Sequence, residues 1–146
     1  MTSQLDINQT LFERAASMYR VHGIIAIIFG GLGVLGGALI TFILIVATML
    51  PEYEVQNVEN DLGFGLFMSA VLIFIFWTLP HLYLVVSGIY LVKNPSPLLA
   101  KGLIIANLVV GLFYNVIILV FAIISLTQSG DYERGYSVHQ KELAKK

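Results

Sequence analysis

The chain has 146 residues, of which 58% are hydrophobic and only 12% charged, with a net charge of −1 and no cysteine. A soluble domain carries about 25% charged residues, so this chain has too little polar surface to cover a water-soluble globule. The near-neutral charge excludes a basic footprint for nucleic acid. The lack of cysteine excludes disulfides, thiolate metal sites and Cys nucleophiles.

Residues 1–9 are polar, and Asp6 and Glu13 precede the first apolar run, which is too long for a cleavable signal segment. Thr10-Leu11-Phe12-Glu13 has the form of a capping box, with Thr10 as N-cap and Glu13 at N3. Leu11, Phe12, Ala15, Met18 and Tyr19 recur at helical spacing, opposite Gln9, Glu13, Arg14, Ser17 and Arg20. Residues 10–20 therefore read as an amphipathic helix at the headgroup level, or as a water-exposed extension of the first span.

Residues 21–50 form the first membrane segment, TM1. Thirty helical residues rise about 45 Å against a hydrocarbon core of about 30 Å. Gly23, Ala26, Gly30, Gly33, Gly37 and Thr41 follow one another at three- and four-residue spacing and make a single small-residue stripe. Lipid offers little hydrophobic force between helices, so small residues that admit close backbone contact mark packing faces. Gly111 plays the same part later in the chain. The glycines do not suit a phosphate loop, because no strand precedes them and no Lys-Ser/Thr follows.

Residues 51–61 are an acidic loop with Glu52, Glu54, Glu59 and Asp61 and no Lys or Arg. The spacing matches no calcium loop, and a solvated surface loop is expected, with no metal. Residues 62–92 are the second span, TM2. The run is free of Asp, Glu, Lys and Arg, and Trp77-Thr78-Leu79-Pro80-His81 interrupts it with a helix breaker and its one ionisable group. In the turn at 93–97, Asn94 suits a C-cap, Ser96 an N-cap and Pro97 a first helical residue, so the flanking segments should be antiparallel neighbours. Residues 98–129 are the third apolar segment, TM3, and 131–146 a polar tail with too little apolar content to fold alone.

Three spans place the termini on opposite sides. The first loop lacks Lys and Arg and should lie outside, with the N-terminus cytoplasmic. Three spans then divide the eight Lys and Arg four against four. If residues 98–129 instead fold back near Tyr114-Asn115, all eight come to one side. Length opposes folding back, since halves of about 14 residues fall short of the 17 or so a span needs. Bent, lipid-exposed backbone would also leave polar groups unpaired at several kcal/mol each. The expected fold is thus all-α: an integral membrane helical bundle in a single domain, with three long transmembrane helices, and four crossings as the alternative.

His81 lies at membrane depth, and Asn107, Gly111 and Asn115 fall four apart on one face of the third segment, with Tyr114 beside them. A polar cluster of His81, Asn107, Tyr114 and Asn115 is expected. It either hydrogen-bonds across helices or forms a proton, haem or metal site. His22, near one end of its helix, and His139, in the tail, do not supply a second haem ligand at matching depth.

Ser87-Gly88-Ile89-Tyr90-Leu91-Val92-Lys93, the Ser/Pro turn, and then Ile123-Ile124-Ser125-Leu126 resemble a loose group of small bacterial integral membrane proteins. That resemblance implies three or four crossings in a cytoplasmic membrane, the last two short, and carries over no catalytic residues. The expected role is non-enzymatic, an accessory or structural subunit of a larger membrane assembly, without cofactor. Its partners would be the lipid bilayer and other membrane subunits or further copies of the chain. The alternatives are a small transporter or channel protomer with His81 in the path, or a haem-binding subunit.

Overall fold

A charge-free run in hydrocarbon must pair its backbone within itself, and helices do so. The computed structural model describes residues 4–49 and 59–143, and these are helical almost throughout, with no strand among them. Helix α1 runs Gln4–Met49, α2 Glu59–Ile73, α3 Leu79–Val92, α4 Pro97–Tyr114, α5 Val116–Thr127 and α6 Ser129–Leu143. Residues 51–58 of the acidic loop lie outside the described residues. Three helical stretches, Asp6–Met49, Gly63–Val92 and Pro97–Tyr114, are long and apolar enough to cross a membrane, and the bent pair α5–α6 could supply a fourth.

Between α2 and α3 the chain takes one π-helical turn, Phe74–Thr78, so the run from Glu59 to Val92 stays helical through Pro80. Proline has no N–H and crowds the carbonyl four residues back. The wider turn relieves that crowding, and the Leu79 N–H reaches Phe74 O instead.

The amphipathic stretch 10–20 is not a separate helix. It is the continuous N-terminal part of α1, and Thr10 does not cap it; the Thr10 hydroxyl donates to Asp6 O at 2.9 Å. The turn at 93–97 forms as its residues suggest. Asn94 adopts φ 52°, Ser96 is the N-cap of α4 and Pro97 its first residue, although the Ser96 hydroxyl makes no capping bond.

The chain divides into two units, Met1–Ile28 with Leu84–Lys146, and Phe29–Tyr83. The first unit holds the hydrophobic core: Phe12, Ala15, Ala16 and Tyr19 of α1, Leu91 of α3, Ala100 and Ile104 of α4, Ala122 of α5 and Tyr132 of α6. In it the segment 98–129 is not one span. It breaks at Asn115, whose backbone is extended (φ −158°, ψ 106°), and α5 packs back along α4.

Two residues make this reversal tolerable in an apolar setting. The Asn115 side-chain oxygen accepts from the N–H groups of Ile117 at 3.0 Å and Ile118 at 3.2 Å, so the open first turn of α5 is not left unpaired. Gly111 lets the backbones meet, since a Cβ there would lie 2.5 Å from Leu119 N.

The polar tail is also helical as far as Leu143. Helix α6 departs from α5 at 58° and docks on the N-terminal part of α1. A Cβ on Gly135 would collide with Phe12 and lie 2.6 Å from Asn8 O, so only glycine allows this approach. The Phe12 ring stands 5.1 Å from Tyr132 and 4.7 Å from His139, and Tyr19 stacks on Tyr132 at 4.5 Å. The Tyr132 hydroxyl donates to Pro95 O at 2.7 Å. Burial, chiefly, pushes the Tyr132 phenol above its ordinary pKa, so it remains a protonated donor. The tail cannot fold alone, yet its tyrosines suffice once α1 supplies the other half of the contact.

The second unit is sparser. Ala70, Thr78 and His81 are buried there, and most large apolar side chains of α2 and the π-helical turn are exposed.

Candidate functional site

Four polar side chains, one from each of four helices, meet in the first unit with no exposure at all: His22 of α1, Ser87 of α3, Asn107 of α4 and Ser125 of α5. Each helix places its residue by packing. Gly23 and Gly88 bring α1 and α3 into backbone contact, since a Cβ on Gly23 would lie 2.7 Å from Gly88 O. That contact sets His22 and Ser87, the adjacent residues, at one level. The Asn115 reversal then carries Ser125 back beside Asn107.

The hydrogen bonds form one connected set. His22 Nδ1 lies 3.0 Å from Ser125 Oγ, Asn107 Nδ2 lies 3.3 Å from His22 Nε2, and Ser87 Oγ donates to Asn107 Oδ1 at 2.8 Å. An amide nitrogen can only donate, so His22 Nε2 accepts and its Nδ1 carries the proton that Ser125 receives. The imidazole is therefore neutral, and each of the four side chains is bonded to at least one other. Interhelical bonds of this kind contribute about 0.6 kcal/mol each in lipid, so the three together are worth roughly 2 kcal/mol. Their larger effect is on register, because sliding any of the four helices by one residue would leave buried polar groups unpaired.

Of the residues expected to cluster, Asn107 sits in this network. Asn115 is used eight residues further on as the cap of α5, and Tyr114 is half-buried at the end of α4. His81 belongs to the second unit and is 4% exposed. Its Nδ1–H donates to Trp77 O at 2.7 Å, and its ring stacks on Trp77 at 5.0 Å. Trp77 Nε1 in turn donates to Gly33 O at 3.2 Å, and a Cβ on Gly33 would run into the His81 ring. Gly37 is closed in the same way by Trp77 and Thr78, and Gly30 is buried. The small-residue stripe is thus consumed inside the chain at Gly23, Gly33 and Gly37, rather than held open for another protein.

His22 and the two serines were not expected in a site. The spacing did contain a signal: His22 continues the stripe Ala26, Gly30, Gly33 and Gly37 backwards by one turn. A residue in register with a packing stripe faces a neighbouring helix whatever its depth.

No group of three or more His, Asp or Glu that could hold a metal ion occurs among the described residues. No family model matches the chain, and neither a curated protein nor a solved structure shows significant similarity to it.

Proposed function

We propose that this protein is a non-enzymatic membrane subunit whose task is structural, serving as an accessory part of a larger membrane assembly. The observation that carries this reading is the His22 network. Its polar atoms are bonded to one another and hold four helices in register, and they present no reactive group on a cavity wall. Large apolar side chains remain exposed on the outer faces, among them Leu35, Leu98, Phe113 and Val116, and lipid or a neighbouring subunit must cover them. A transport path through His81 has less support, because that ring is packed on Gly33 and bonded to Trp77.

The N-terminus is proposed to be cytoplasmic. All eight Lys and Arg fall in the first unit, and residues 29–83 have none. With the fold-back at Asn115, the positive-inside bias places the N-terminal stretch, the 93–97 turn and α6 together on that side.

Extraction in mild detergent followed by crosslinking tests the role. The protein should be recovered at fixed stoichiometry with a membrane subunit or with further copies of itself. A clean monomer with no stoichiometric companion would remove the proposal.

A further inference from the structure

We propose that Arg20, Lys93 and Lys101, grouped around the turn between α3 and α4, form a binding site for the phosphate of an anionic phospholipid. This rests on the membrane placement of the helices and not on the accessory role.

The first support is where the cations stand. Each is the last charged residue before a charge-free run: Arg20 before 21–50, Lys93 after 62–92, Lys101 before 102–130. A charge at the edge of an apolar helix sits at the headgroup level, where the long stem lies along hydrocarbon and the cation reaches phosphate. The other three edges carry carboxylates instead, Glu52, Asp61 and Asp131. Of these, Asp131 is paired with Arg134 at 3.3 Å.

The second support is that Arg20 is bonded to the turn that Lys93 and Lys101 flank in the chain, and that none of the three has a described ion pair. Arg20 Nε donates to Asn94 Oδ1 at 3.3 Å, which ties α1 to the residue next to Lys93. Asn94 is held in the left-handed conformation that ends α3, so this anchor is fixed by the turn itself. That bond uses one of the five guanidinium N–H donors. Lys101 lies one helical turn beyond Pro97, and Tyr132 pins the same turn through Pro95 O. Arg20, Lys93, Lys101 and the uncapping Ser96 hydroxyl are all exposed. The described ion pair is Arg134–Asp131, and it leaves Arg20, Lys93 and Lys101 without a described carboxylate partner.

Three cations with no ion pair among the described residues, and a hydroxyl, at headgroup depth complement a phosphodiester that carries a net negative charge. A zwitterionic headgroup offers the same phosphate with its own cation attached and is the weaker ligand. The expected gain is about five-fold in preference per cation near the surface.

The test is native mass spectrometry of the full chain in mild detergent, supplied with equal amounts of phosphatidylglycerol and phosphatidylcholine. Phosphatidylglycerol should be retained at least ten-fold over phosphatidylcholine. Lys93→Gln and Lys101→Gln should each reduce that ratio about five-fold, and the triple variant with Arg20→Gln should abolish it. Arg134→Gln and Lys141→Gln should leave it intact. Millimolar inorganic phosphate should not displace the bound lipid, which separates a lipid site from a free-anion site. Equal retention of the two lipids, an unchanged ratio in the lysine variants, an equal loss in the two controls, or displacement by inorganic phosphate would each overturn the proposal. Lys93 and Lys101 are exposed, with no side-chain bond among those described, so their variants keep the test valid should the triple variant fail to fold.

Discussion

The contact between Gly23 and Gly88 sits directly beside the His22 network, and a single methyl group tests both. A Cβ on Gly23 would lie 2.7 Å from Gly88 O and 3.1 Å from Val92 N, both backbone atoms that cannot swing away. Ordinary contact begins at 3.4 Å, so α1 and α3 must part by about 0.7 Å. Overpacking of this kind costs about 1–3 kcal/mol. The same shift stretches the bond from Asn107 Nδ2 to His22 Nε2, already 3.3 Å, toward the limit of a useful hydrogen bond. Gly31 is the control, because a Cβ there meets nothing within 4 Å. In that open position Gly→Ala should stabilise, by up to about 1 kcal/mol, through helix propensity alone. The two substitutions are chemically identical, eight residues apart on one helix, and should have opposite signs. The assay is unfolding of the detergent-solubilised protein by increasing mole fraction of dodecyl sulfate, followed by circular dichroism. Gly88→Ala should resemble Gly23→Ala, and the double variant should cost less than the sum, since both crowd the same contact and parting the helices for one makes room for the other. If Gly23→Ala proves as harmless as Gly31→Ala, the close approach and the register argument built on it are wrong.

Other outcomes follow from the same contacts. Asn107→Ala removes one partner each from His22 and Ser87 and should destabilise by about 1–3 kcal/mol in the same titration. Asn115→Ala strips the two bonds that cap α5 and should cost about 1 kcal/mol, with greater hydrogen exchange at Ile117 and Ile118. Gly135→Leu should push α6 off Phe12 and Asn8, so trypsin cuts after Arg134 and Lys141 many-fold faster while the apolar helices stay protected. Finally, single cysteines at Asp6 and Ser137, in a chain with no native cysteine, should label from the same side of the membrane. Labelling from opposite sides would show that α5 does not return across the bilayer.

Of the four residues in the candidate site, the sequence reading reaches only Asn107. Asn107 was identifiable because an amide in a charge-free run has no solvent to bond and must face a neighbour. His81 drew attention for the same reason, yet its bonds are local, to Trp77 four residues back. His22 lies near one end of its helix, away from the depth of His81, and so does not suggest itself as a haem ligand from the sequence. Segment length and the expense of unpaired backbone both argue from sequence against a reversal at Asn115. Asn115 itself removes most of that expense, a role invisible until the loop geometry is known.

Composition alone decided that the chain is helical, with runs long and apolar enough to cross a membrane. That outcome depends on single residues meeting hydrocarbon, a sum over positions that requires no knowledge of neighbours. The stripe from Gly23 to Gly37 likewise announced a packing face, and the Asn94-to-Pro97 turn formed as its residues dictate. Only the tertiary structure decided which faces meet. His22 finds Asn107 at a separation of 85 residues and Ser125 at 103, and α6 becomes a helix because α1 lies against it. Such pairings depend on how separate helices are brought together in space, and no local pattern encodes that distance.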